Sequence, residues 1–90
     1  MTIEQYNIKR TNVIISIQND YEMLNTWEHK EFIPLDKLPQ YDRLIVTLCG
    51  FNSIHDMLED TRKIIERKKK GLKRIETKIE SLNKRIIQDR

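Results

Sequence analysis

The chain has 90 residues, of which 38% are hydrophobic and 34% are charged, and its formal net charge is +3 at pH 7. A chain of this size forms one small domain that buries a limited fraction of its surface, and the charge content favours exposed helices over a thick core. Two glycines and two prolines provide too few turns for an all-β fold, and no apolar run is long enough to span a membrane.

The first predicted element is an amphipathic helix over residues 3–32. Thr2 and Gln5 have the spacing of a capping box. Apolar residues then recur at helical intervals: Ile3, Tyr6, Val13, Ile17, Tyr21 and Leu24. The helix is expected to end before Pro34, because the residue preceding a proline is pushed out of the helical region. Residues 12–17 are rich in β-branched side chains and could form a strand instead, but the flanking spacing favours the helix.

Residues 33–38 are predicted to be a connector, and residues 39–49 a short helix that stops at Gly50. Its apolar face consists of Tyr41, Leu44, Ile45 and Leu48. The aromatic residues expected to anchor the core are Tyr6, Tyr21, Trp27 and Tyr41. The single cysteine, Cys49, lies in an apolar run and is expected to be a buried thiol. A lone cysteine and the absence of an N-terminal secretory pattern favour a cytoplasmic location.

The longest predicted element is a helix over residues 54–90. Ten residues spaced alternately by four and three form a heptad seam: Ile54, Leu58, Thr61, Ile65, Lys68, Leu72, Ile75, Ile79, Leu82 and Ile86. Ile or Leu fills every position except Thr61 and Lys68. Gly71 costs about 1 kcal/mol inside a helix, but the seam keeps its phase across this glycine. The pattern therefore predicts one continuous helix.

The apolar face of this helix changes in width along its length. Near its start Met57, Leu58, Ile64 and Ile65 form a wide face, which is typical of packing within one chain. Beyond Lys68 the seam is narrow, which favours a single partner helix. The predicted partner is the same helix of a second copy, in a homodimer held by Ile65, Lys68, Leu72, Ile75, Ile79, Leu82 and Ile86. In the alternative interpretation, the N-terminal helix folds back along the seam within one monomer.

Charge is distributed unevenly along the chain. Residues 1–53 carry a net charge of −2 and residues 54–90 a net charge of +5. The basic residues considered for contact with nucleic acid or an acidic partner are Arg62, Lys63, Arg67, Lys69, Lys70, Lys73 and Arg74. Concentrated positive charge gives sequence-independent affinity for phosphates. The same residues are also ordinary at the outer positions of a coiled coil, and no aromatic residues for base stacking lie among them.

The sequence lacks the motifs of common catalytic and cofactor sites, among them CxxC, HExxH, the P-loop and GxGxxG. His29 and His55 lie in different segments, each without a second His or Cys nearby. The cluster His55, Asp56, Glu59 and Asp60 has the residue types of an acid/base or metal site, but acidic residues are also favoured in the first turn of a helix. We therefore expect no enzyme activity, no metal and no cofactor.

The sequence thus predicts an all-α protein with an N-terminal helical region, residues 1–53, and a coiled-coil-like helix, residues 54–90. We expect an interaction module that associates with itself and binds another protein. We expect it to bind neither a membrane nor a small molecule. Frequent Ile, Lys and Asn favour an accessory or inhibitor protein of a phage or mobile element, acting in the host cytoplasm. The alternative is a small DNA- or RNA-binding regulator that uses the basic stretch 62–74.

Overall fold

The computed structural model describes residues 1–88 of the chain, with side chains through Arg85. This part of the chain consists of helices and turns without a strand, which confirms the predicted all-α fold. The α-helices are α1 (Ile3–Trp27), α2 (Gln40–Leu48) and α3 (Ile54–Gln88). Two short 3-10 helices, Glu28–Lys30 and Leu35–Lys37, lie between α1 and α2. None of the helices within residues 1–88 is both long and apolar enough to cross a membrane.

The first helix begins with the predicted capping box. The Gln5 backbone N–H donates to Thr2 Oγ1 at 3.2 Å, and the Thr2 N–H donates to Gln5 Oε1 at 2.8 Å. Residues 12–17 lie inside α1, so the strand alternative is wrong. The α-helix ends at Trp27, before the predicted end at residue 32, and continues as a 3-10 turn.

The ends of α2 and α3 follow from their terminal residues. Gly50 adopts a φ of 84° and terminates α2. Its N–H donates to the Thr47 carbonyl at 3.0 Å, and the next N–H, of Phe51, donates to the Val46 carbonyl at 3.1 Å. This pair of bonds forms a Schellman motif. Ser53 Oγ then caps α3 by accepting a bond from the Asp56 N–H at 3.1 Å.

The described chain forms two compact units. The hairpin unit contains residues 1–19 and α3 from Ile65 onward, and the core unit contains residues 20–64. In the core unit the buried apolar side chains are Leu24, Leu38, Val46, Ile54, Met57 and Leu58. In the hairpin unit they are Ile17, Ile65 and Ile75. The wide apolar start of α3 therefore lies in the core unit except for Ile65, and its narrow seam lies in the hairpin unit.

Three expectations about buried residues, those for Tyr41, Cys49 and Tyr21, are wrong. Tyr41 is 72% exposed, because α2 buries the neighbouring edge that contains Asp42 and Val46. Lys30 Nζ donates to Asp42 Oδ2 at 2.9 Å, which holds that edge inward. Cys49 is exposed because it caps the end of α2 rather than lying in its packed stretch. Among the other expected anchors, Tyr21 is also exposed, whereas Tyr6 and Trp27 are half-buried.

Candidate interaction surfaces

Within the hairpin unit, α1 packs antiparallel along the predicted seam of α3. Arg10 Nε donates to Glu76 Oε1 at 3.2 Å, and Lys68 Nζ donates to Ser16 Oγ at 2.7 Å. The α3 residue number falls as the α1 residue number rises, which defines the antiparallel direction. The fold-back of the N-terminal helix is therefore the arrangement that the structure contains.

One covering helix leaves part of this seam accessible. Ile65 and Ile75 are buried at 3% and 8% exposure, whereas Leu72, Ile79 and Leu82 are half-buried. The Ile86 side chain lies outside the described residues. Lys68, the polar residue of the narrow seam, is half-buried and meets a hydroxyl on α1. Self-association through α3 stays a prediction. The seam surface available for it is the part that α1 leaves accessible, at Leu72, Ile79 and Leu82.

The most exposed apolar strip on a described helix lies on α2. Tyr41, Leu44 and Leu48 are 72%, 54% and 76% exposed. Their spacing of three and four residues places them on one side of the helix. We call these three residues the α2 face. The sequence pattern identified this apolar face and placed Tyr41 in the core, but in the structure all three side chains are exposed. Large exposed apolar patches mark interaction sites.

A polar network in the core unit holds the chain after α1 against α3. Arg62 donates from Nη1 and Nη2 to the two carboxylate oxygens of Glu31, both at 2.9 Å, and from Nη1 to Glu59 at 2.7 Å. His55 Nδ1 lies 2.8 Å from Glu31 Oε2. Hydrogen bonds from Arg62 and then from His55 lower the pKa of Glu31 from 4.5 to about 2. The two carboxylates raise the pKa of Arg62.

Three members of this network have the donor types of a metal site. Ligand atoms of Glu31, His55 and Glu59 lie within 4.8 Å of one another. Arg62 already neutralises both carboxylates, so a divalent cation would have to displace its bidentate ion pair. The arrangement is an ion-pair network that fixes the core unit. It brings together His55 and Glu59 of the sequence-predicted cluster, and adds Glu31, which the sequence did not indicate.

The basic candidates divide into engaged and unengaged side chains. Arg62 is engaged by the network above, and Lys69 lies 4.0 Å from Glu66. The candidates that are exposed without an ion pair to another described residue are Lys63, Arg67, Lys70, Lys73 and Arg74. Two further exposed cations on α3, Lys78 and Arg85, lie beyond the basic stretch 62–74 that the sequence indicated. Their helical spacing from Arg74 was the signal that could have found them.

Comparison with known proteins yields no matching family model, no matching curated protein and no matching solved structure.

Proposed function

We propose that this chain is a non-enzymatic helical interaction module, with the α2 face as its docking surface and a second copy of the chain as the occupant. The observation that carries the proposal is an amphipathic helix whose apolar strip points outward. Burying such a strip gains roughly 25 cal/mol per Å² of apolar surface. An accessory protein of a phage or mobile element would present this surface in the host cytoplasm.

The folding of the core unit does not account for the α2 face. Val46 is fully buried, and Asp42 is buried against Lys30, so α2 is anchored by its other edge. Burying the strip is therefore not needed to hold α2 in place. A partner could cover Leu44 and Leu48 without disturbing those contacts.

A second copy suits the α2 face because a two-fold contact requires a surface that is complementary to itself. The exposed side of α2 carries a single charged residue, Arg43, beside the neutral Gln40 and Thr47. An almost uncharged apolar strip creates little repulsion when it meets its own copy. The exposed outer side of α3 carries cations that form no ion pair with a described residue, and it would repel an identical surface.

The test compares two pairs of substitutions that add the same charge at exposed apolar positions. Leu44→Glu with Leu48→Glu disrupts the α2 face, whereas Ile8→Glu with Ile15→Glu alters an exposed part of α1 at 57% and 49% exposure. Sedimentation equilibrium gives the mass, and circular dichroism checks the helix content. We expect wild type and the α1 variant at twice 10.9 kDa and the α2 variant at 10.9 kDa.

A monomeric wild type overturns the proposal. So does an α2 variant that keeps the dimeric mass. In the latter case Leu72→Asp tests whether the dimer forms through the seam of α3 instead. If this substitution gives a monomer that keeps its helix content, the interface lies on that seam.

A further inference from the structure

We infer that the outer side of α3 binds the phosphate backbone of a nucleic-acid duplex. The inference concerns a different surface from the α2 face and does not rest on the function proposed above. Its basis is a line of exposed cations, which we call the basic stripe: Arg67, Lys70, Arg74, Lys78 and Arg85.

The helical spacing aligns the basic stripe. Its members follow one another at intervals of three, four, four and seven residues, which keeps them on one side of the helix. From Arg67 to Arg85 the stripe extends about 27 Å at 1.5 Å per residue. A duplex of that length carries about 16 phosphates, at one charge per 1.7 Å of axis. The stripe therefore offers a row of positive charge on the scale of one face of a duplex.

The carboxylates of this part of α3 are paired with cations outside the stripe. Glu76 accepts from Arg10 at 3.2 Å, Glu80 lies 3.5 Å from Lys84, and Glu66 lies 4.0 Å from Lys69. No described residue forms an ion pair with a member of the basic stripe. An adjacent cation, Lys73, lines a shallow depression together with Lys70, Arg74 and Thr77. Within the described residues, the stripe is thus a row of cations without acidic partners rather than one half of an ion-pair network.

The side chains on this side of α3 favour a nucleic-acid duplex over two other anionic partners, a membrane surface and a single strand. A helix that binds a membrane surface needs a fully exposed apolar side, but the described seam residues of α3 in the hairpin unit are buried or half-buried against α1. A protein that binds single strands uses aromatic side chains for stacking, and α3 contains no Phe, Tyr or Trp. Cations without either feature fit contact with a duplex backbone, which positions a protein without reading sequence.

The test measures binding to a duplex of about 20 base pairs by fluorescence anisotropy, at salt concentrations from about 50 to about 200 mM. The variant Lys70→Gln, Arg74→Gln, Lys78→Gln removes three cations and keeps residues of good helix propensity. We expect the slope of log affinity against log salt to fall by about one for each cation removed. Affinity at 100 mM salt should weaken at least about tenfold.

The control variant Lys9→Gln, Lys37→Gln, Lys84→Gln removes the same net charge elsewhere and should keep the wild-type affinity within about twofold. Equal weakening by both triple variants would show that only net charge matters and would overturn the site. Absence of binding at the lowest salt would overturn it as well. So would tighter binding to vesicles of phosphatidylcholine and phosphatidylserine, or to a polyglutamate chain, than to the duplex.

Discussion

At the scale of single residues, the buried carboxylate of Glu31 couples the fold to pH. Its pKa of about 2 in the folded protein lies below the ordinary 4.5. Between these values the unfolded chain binds a proton that the folded chain does not, so stability rises with pH in this window. The contribution of Glu31 is present above about pH 4.5 and is lost as the pH falls towards about 2.

The corresponding prediction compares wild type with Glu31→Gln and Arg62→Met in urea denaturation at pH values from 7 down to 2. Both variants should be less stable at pH 7, because each leaves one partner of a partly buried ion pair behind. Both should also lose less stability than wild type on acidification, since Arg62 is the largest cause of the lowered pKa. Curves parallel to wild type would contradict this role for Glu31.

The two glycines form a second matched test at this scale. A Cβ at Gly71 would meet no atom within 4 Å, so Gly71→Ala should raise the free energy of unfolding by about 0.5–1 kcal/mol through helix propensity. Gly50 has a φ of 84°. Gly50→Ala should lower the free energy of unfolding by about 1–2 kcal/mol, because a Cβ is crowded in the left-handed conformation. Chemical denaturation measures both changes. A destabilising Gly71→Ala would contradict a continuous α3.

At the scale of elements, the periodicity of apolar residues predicted which side of each helix is apolar but not which element packs against that side. The heptad pattern of α3 predicted a partner helix, and a partner helix is present, but it is α1 of the same chain. Periodicity does not distinguish a covering helix of the same chain from one of another, because side-chain packing is alike in both. For α2 the apolar side was predicted, but its orientation was not, since this depends on the ion pair between Lys30 and Asp42.

The register of α1 against α3 can be tested by two double-mutant cycles. Ser16→Ala with Lys68→Met should give a coupling of about 0.5–1.5 kcal/mol for a partly buried hydrogen bond. Arg10→Gln with Glu76→Gln should give less than about 1 kcal/mol, because both side chains of this pair are close to half exposed. Free energies of unfolding from denaturation supply both couplings. Zero coupling in both cycles would contradict the antiparallel register.

At the scale of the whole molecule, the network around Glu31 was beyond prediction from sequence. It joins residues 24 to 31 positions apart in the chain, and only the fold determines which distant residues become neighbours. The surfaces separate by chemistry: the α2 face is apolar and nearly uncharged, whereas the basic stripe is charged and polar. Because association through the α2 face depends on apolar burial, it should persist at salt concentrations that weaken phosphate contacts.

The central claim, that two copies meet through α2, is tested most directly by a distance between copies. The single cysteine, Cys49, is exposed next to Leu48 and accepts a spin label without substitution. A nine-residue helix is about 14 Å long, and packed helices lie about 8–10 Å apart, so the two Cys49 backbones should lie within about 20 Å of each other. Pulsed dipolar spectroscopy on labelled protein that keeps its dimeric mass should show this short distance, and Leu44→Glu with Leu48→Glu should abolish it. A dimer without a short distance at Cys49 would contradict the claim.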